Sequence, residues 1–399
     1  MKDTRKLIIR IVDIYAIVVF FACVQVPSII RVIHGERYLQ AFRILIIAMC
    51  LLFFLTRKKF PHKMGFIISW VFVTLISTWL SGNDMGYAIQ IISIPFLMCL
   101  FLSANLEKID RILRIWKNLL TILVLIDFFT IVIFPNGMYN DGLYDLNWFL
   151  GYKTARFALE LPLCTLSAYL EEKCTDKVGV KTYILIFISS FCTMKSQAVA
   201  STVCMVLYGI AMFLFDASKN VKHKKTTFYK LFNFKTVIPI YLISVISVIG
   251  IQHFGVVQYI VVNWLKKDPT LTTRTFIWDA IILKLIKRPF IGYGILNQQD
   301  YIKITLNSFA TSAHNLVLAI LMAGGLLGGI IYIFIIGNAL YKENGQYNKY
   351  DIPIVVAILI FLIIGITSES LLYSEFSFVL FYMLLFEKEG KGEKNDNRC

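Results

Sequence analysis

Residues 315–338 read NLVLAILMAGGLLGGIIYIFIIGN, an unbroken run without one charged side chain. A helix advances about 1.5 Å per residue, so a run of this length crosses a hydrocarbon layer of roughly 30 Å. Lipid offers the backbone no hydrogen-bond partner, and a helix satisfies its own N–H and C=O groups. Similar apolar runs recur along the whole chain, separated by short polar stretches. Of the 399 residues 58% are hydrophobic and 16% charged, with a mean hydropathy of +0.70, which exceeds what a water-soluble domain can bury.

Working outward from that run, spans are expected at roughly 9–30, 41–55, 65–80, 87–103, 117–135, 156–171, 182–194, 197–215, 236–254, 315–338, 352–368 and 373–386. The expected fold is an all-α polytopic membrane protein with about 12 transmembrane helices, 10–12 allowing for the short second, seventh and twelfth runs. The stretch Ile11 to Ile30 is too long for the apolar part of a signal peptide and no small-residue cleavage site follows, so it is expected to stay in the mature chain. The parts are nine N-terminal spans in 1–254, a large loop at 255–314, three spans in 315–386 and a basic tail at 387–399.

Sidedness follows from lysine and arginine, which favour cytoplasmic loops. Alternate loops carry 27 positive residues, among them Arg57, Lys58 and Lys59, Arg111 and Arg114, and Lys222, Lys224 and Lys225. The short intervening loops carry four: Arg31, Arg37, Lys153 and Lys195. That asymmetry puts both termini in the cytoplasm and the 255–314 loop outside the bacterial cytoplasmic membrane. The net charge of +15 is therefore read as membrane topology and not as a nucleic-acid surface.

Several chemistries are weakened by what the pattern lacks. The eight cysteines are scattered, mostly within apolar runs, without CxxC or metal-type spacing, and read as small apolar fillers. No paired carboxylate motif suggests a metal, and no cofactor is expected. Matched Gly/Pro-interrupted halves, the mark of many carriers, are not evident.

Within the long loop, residues 272–288 (TTRTFIWDAIILKLIKR) read as an amphipathic helix ended by Pro289, with Ile277, Ile281 and Leu285 on one face. Such a helix suits the membrane interface, its apolar face toward the headgroups. Gly292-Tyr293-Gly294 follows, then His314-Asn315 at the lip of the glycine-rich span. A smaller outer loop, 136–155, carries Tyr139, Asn140, Asp141, Tyr144, Asp145, Asn147 and Trp148, which fit sugar stacking and an interfacial aromatic belt equally well. For the glycines of the span, close helix packing is a plainer reading than any catalytic role. Asp127, and Arg156 with Glu160 one turn on, place charge inside spans, where a structural polar pair is the plainer reading.

The order Arg274-x-x-x-Trp278, Pro289-x-x-Gly292-x-Gly294, His314-Asn315 and a span containing Gly325 resembles the O-antigen ligase and polymerase superfamily. Lys195-Ser196-Gln197 is similar to that family's Ser-Arg turn with the arginine replaced, and Phe149 to Arg156 to a Gly-x-x-Asn segment with Thr154 for asparagine. The resemblance implies a GT-C-like, metal-independent glycosyltransferase acting on undecaprenyl-diphosphate-linked oligosaccharide at the outer face, most like a capsular or O-antigen polymerase. Membrane lipids, a flippase and a chain-length regulator would be its partners. It implies Arg274 as the group that holds the leaving diphosphate and His314 as the base for the acceptor hydroxyl. Arg288, Arg156, Lys195, Asn315, Trp278, Gly292 and Gly294 would bind substrate. The alternatives are an O-antigen-type ligase, or a lipid-linked oligosaccharide flippase or transporter.

Overall fold

The computed structural model describes the chain except residues 1, 25–27, 29–43, 53–54, 56–63, 142–145, 220–233, 251–258, 260–273, 309, 342–348, 369–371, 373 and 387–399. The basic tail and most of the first part of the 255–314 loop thus lie outside the described residues. Among the described residues these helices follow in order: α1 Lys2–Val24, α2 Met64–Leu80, α3 Met85–Ala104, α4 Ile109–Ile133, α5 Phe157–Thr175, α6 Val180–Lys195 and α7 Val199–Ser218. Then come α8 Phe234–Ile249, α9 Arg274–Ile286, α10 Gln298–Thr305, α11 Leu316–Leu340, α12 Ile352–Gly365 and α13 Ser377–Phe386. Residues 44–52 are helical as well. The one described sheet pairs β1 (Asn147–Trp148) with β2 (Gly151–Tyr152) as an antiparallel hairpin, Trp148 opposite Gly151.

Among the described helices four are long and apolar enough to cross a membrane: Met85–Ala104, Leu106–Ile133, Val199–Ser218 and Leu316–Leu340. Shorter apolar helices flank them. The chain is a mostly helical, polytopic membrane protein. Its helices expose Phe72, Ile126, Phe129, Phe187, Phe213 and Ile246 outward, as lipid contact requires. Inside, Trp70, Trp116, Tyr208, Tyr332 and Tyr382 are wholly buried. Six cysteines are free and buried, as fillers would be.

The apolar run at 315–338 is not one continuous helix. Gly325 takes φ 61° and ψ −158°, a backbone region essentially closed to other residues, and breaks α11 near its middle. The segment 289–295 fills the break. Met322 O accepts the N–H groups of Tyr293 (2.7 Å) and Gly294 (3.0 Å), while Leu326 and Leu327 donate to the carbonyls of Pro289 (2.8 Å) and Phe290 (3.1 Å). The segment is held in turn by α2 and the turn after it: Ser77 donates to Ile291 O (2.7 Å), Asn83 to Tyr293 O (2.6 Å), and Ile295 N–H to Thr78 Oγ1 (3.0 Å). Protein, not lipid, supplies the partners of this irregular backbone.

Apart from the wholly buried Asp127, Arg156 and Glu160, the described ion pairs lie toward one end of the bundle. That end holds the ion pairs Asp13–Arg111 (2.6 Å), Asp110–Lys173 (2.8 Å) and Asp216–Lys219 (2.6 Å), with Glu172 also on Lys219. The other end gathers the β1–β2 hairpin, the α6–α7 turn, the α9–α11 connection and the end of α12.

Candidate functional site

At that second end two lobes of about 770 and 600 Å³ share Lys153, Thr154, Ala200, Ser201, Arg274, Ile364 and Thr367, and so form one cavity. Four chain regions meet there: the hairpin and its exit, the start of α7, the α9–α11 connection and the end of α12. Trp278 and Gln197 line the first lobe. His314, Ser312, Thr311, Ser308, Gln298 and Tyr152 line the second, more polar one. Among the described residues no carboxylate lines either lobe, whereas Arg274 and Lys153 line both. The cavity is cationic at one wall and hydroxyl-rich at another, a composition that suits an anion joined to a polyhydroxylated group.

His314 is set by strained backbone. Its φ is +50°, rare for a residue with a side chain and worth roughly 1–3 kcal/mol of strain. The residues either side explain how that strain is held. Asn315 caps α11, accepting Leu318 N–H (3.0 Å) and donating to Ile366 O (2.9 Å). Trp278 Nε1 donates to Ala313 O (3.0 Å). Both flanks are thus tied to buried partners, which leaves the imidazole in the cavity with Nδ1 3.3 Å from Ser312 Oγ. Burial, and then the positive charge of Arg274, lower the His314 pKa from 6.5 to about 4, so the ring is neutral at physiological pH.

The structure brings together Arg274, His314 and Trp278 as the sequence order suggested, and parts the rest. Asn315 has both ends of its amide engaged in capping and lies behind the cavity. Gly292 and Gly294 (φ +73° and +80°) pass against the α11 break and Thr78; a Cβ at Gly292 would lie 2.6 Å from Leu321 O and Met322 O. Their role is close backbone approach. Arg288 lies at the far end of α9, where its guanidinium meets Ser81 Oγ (3.2 Å) and the Tyr293 ring (5.4 Å). Lys195 lies 5.8 Å over the Phe191 ring, outside the cavity, while Gln197 of the same turn lines it with φ +61°.

Arg156 is wholly buried, 3.2 Å from Asp127 and 4.8 Å over the Trp148 ring. The helix-mate Glu160 is also wholly buried. Trp148 is therefore not a sugar platform: its indole donates to Phe134 O (2.7 Å) and its face carries Arg156. On α9 it is the face toward lipid that differs from the expectation. Ile277 and Ile281 pack with Thr275 and Trp278 against the protein, where the indole N–H reaches Ala313 O, and Phe276, Leu283 and Ile286 face outward. Lys153 was passed over in the sequence as one of four stray outer cations. Its signal was its place in FLGYKTAR, three residues before a span.

The fold and cavity define a class: a polytopic helical membrane protein with an arginine, a lysine and a neutral histidine at one end of its bundle. Within that class, residues 183–333 match the O-Antigen ligase family model. The matched stretch includes Gln197, Ser201, Arg274, Trp278 and His314, and leaves out the hairpin and the end of α12. The chain is similar to a provisionally assigned polysaccharide ligase of Rickettsia conorii, 23% identical over 57% of this chain and 59% of that protein. A Rickettsia prowazekii protein with the same provisional assignment is 23% identical over 48% of each chain. The chain thus spans about half the length of the curated relatives it matches. No solved structure matches.

Proposed function

We propose that this protein transfers a glycan from a polyprenyl diphosphate to an acceptor hydroxyl, in the manner of an O-antigen-type ligase. The observation that carries the reading is the convergence of Arg274 and neutral His314 on one cavity, inside the stretch that matches the ligase family. The acceptor oxygen attacks the anomeric carbon, the bond from that carbon to the diphosphate oxygen breaks, and the acceptor proton passes to His314. Arg274 and Lys153 balance the charge that grows on the departing diphosphate. The diphosphate also offsets the repulsion between Arg274 and a protonated His314, so the base strengthens as substrate binds.

Polymerisation uses the same chemistry with a lipid-linked repeat unit as acceptor. The relatives' names favour ligation over the polymerase that the sequence motifs suggested. The full twelve-span topology, with both termini cytoplasmic, belongs to this proposal. It is supported by the loops that meet at the cavity, all of which the lysine and arginine pattern assigns to the outer face. There nucleotide sugars are absent and lipid-linked sugars are available.

Purified protein in nanodiscs, given undecaprenyl-diphosphate oligosaccharide and candidate acceptors, tests the reading. Single-step transfer to a lipid or glycan acceptor is the expected product. A ladder of longer lipid-linked chains would replace the ligase with the polymerase, and normal transfer by both His314→Ala and Arg274→Ala would sink the site.

A further inference from the structure

A second cationic pocket lies at the opposite end of α9. It has a volume of about 470 Å³ and is formed where Leu80 and Ser81 at the end of α2 meet residues 287–292. Arg274 and Arg288 are fourteen positions apart, about 20 Å at helical rise, so this pocket is separate from the cavity at His314. Lys287 and Arg288 line it, Lys284 stands one turn back on α9, and neutral groups hold Arg288 and Lys284. Arg288 donates to Ser81 Oγ (3.2 Å) and lies 5.4 Å from the Tyr293 ring; Lys284 lies 4.9 Å from the same ring, whose hydroxyl donates to Lys284 O (3.0 Å). Among the described residues no carboxylate forms an ion pair with Lys284, Lys287 or Arg288.

Three cations at a helix end could simply be solvated, but their surroundings are not those of a watery face. Trp79 (69% exposed), Phe290 (70%), Leu283 (65%) and Ile286 (67%) form an outward apolar rim beside them. Large apolar side chains turned outward in a membrane protein meet acyl chains, and cations at the edge of such a rim lie at headgroup depth. We propose that the Lys287–Arg288 pocket binds the headgroup phosphate of an anionic membrane phospholipid, with the acyl chains along the Phe290 and Ile286 rim. Lys287 and Arg288 supply the charge. Ser81 and Tyr293 fix the guanidinium, which makes the site specific in geometry as well as sign.

The test uses the full chain in nanodiscs of equal phosphatidylglycerol and phosphatidylcholine, extracted gently and weighed intact by native mass spectrometry. Wild type is expected to retain at least one phosphatidylglycerol that the folded Lys287→Gln/Arg288→Gln variant loses, while Arg274→Gln keeps it. The charge-preserving Lys287→Arg/Arg288→Lys variant, which guards against a folding defect, is expected to retain it at least in part. Equal retention by wild type and the double glutamine variant overturns the proposal, as does equal retention of phosphatidylcholine. Thermal midpoints offer a second reading: a rise with phosphatidylglycerol fraction supports the lipid site. The same rise produced by millimolar inorganic phosphate without anionic lipid overturns it in favour of a soluble anion.

Discussion

The guanidinium of Arg156 lies 3.2 Å from Asp127 Oδ2, with both side chains wholly excluded from solvent. The other oxygen of the same carboxylate accepts the Leu150 N–H (2.9 Å), at the turn of the β1–β2 hairpin. One acidic side chain on α4 therefore holds both the start of α5 and the hairpin that delivers Tyr152, Lys153 and Thr154 to the cavity. Removing either partner leaves an uncompensated charge in the bundle, which typically costs about 3–5 kcal/mol. Asp127→Ala and Arg156→Ala should each lower the thermal midpoint strongly. The double variant should lose much less than the two single losses added, because one interaction is counted in both. Additive losses would show that the pair is not coupled.

The helical, membrane-spanning character was legible because an apolar run must end where polar backbone and charge begin, and that boundary is written locally. Arg274, Trp278 and His314 were legible for a different reason, as an ordered set of unusual residues in one stretch. The partner of Arg156 was not. Glu160, four residues along, is the local choice, while Asp127 comes from another helix, and only three-dimensional packing brings it within reach. The break in α11 was hidden as well. Two adjacent glycines in an apolar run permit close packing and backbone reversal alike, and what decides between them is the segment 289–295, far away in sequence.

Inserted backbone of that kind leaves no room for a Cβ. An alanine at position 294 would drive its methyl into the Thr78 backbone and hydroxyl, and one at 292 would meet two α11 carbonyls and the Gly325 nitrogen. Positive φ adds strain of roughly 1–3 kcal/mol at each. Gly294→Ala and Gly292→Ala should sharply reduce the yield of folded protein in a detergent size-exclusion assay. Gly328 is the internal control. A Cβ there meets nothing closer than 3.8 Å, so Gly328→Ala should match wild type or gain up to ~1 kcal/mol from helix propensity. Equal behaviour of all three would refute the packing account.

The neutral state of His314 makes a prediction about acid. Its folded pKa of about 4 lies below the ordinary 6.5, so as pH falls the unfolded chain takes up the proton first. The stability contributed by this group is complete above pH 6.5 and is lost as pH falls toward 4. Thermal midpoints of wild type should drop across that window more steeply than those of His314→Gln. Catalysis should follow the same group: kcat/KM should hold level through neutral pH and fall on a limb near 4. Burial is the larger cause of the shift and Arg274 the smaller. In Arg274→Gln the limb should therefore move up only part of the way toward 6.5. A limb that stayed near 4, or that began at 6.5 in wild type, would contradict the placement of the two groups.

Trp278 touches the cavity, yet its most specific bond is to the chain just before His314. Trp278→Phe keeps most of the buried ring and removes the indole N–H, leaving Ala313 O without its 3.0 Å donor. An unsatisfied buried acceptor costs about 1–3 kcal/mol, so a modest drop in stability is expected on packing grounds alone. The informative reading is kinetic. Ala313 is fixed on one side of a residue held at φ +50°, and loosening it lets His314 relax toward ordinary backbone. On the proposed function Arg274 and Lys153 hold the diphosphate, and the substitution leaves both in place. The expected result is therefore a lower kcat with KM little changed, together with an altered acid limb. A rise in KM at constant kcat would instead make Trp278 a binding surface for the glycan, and its bond to Ala313 incidental to catalysis.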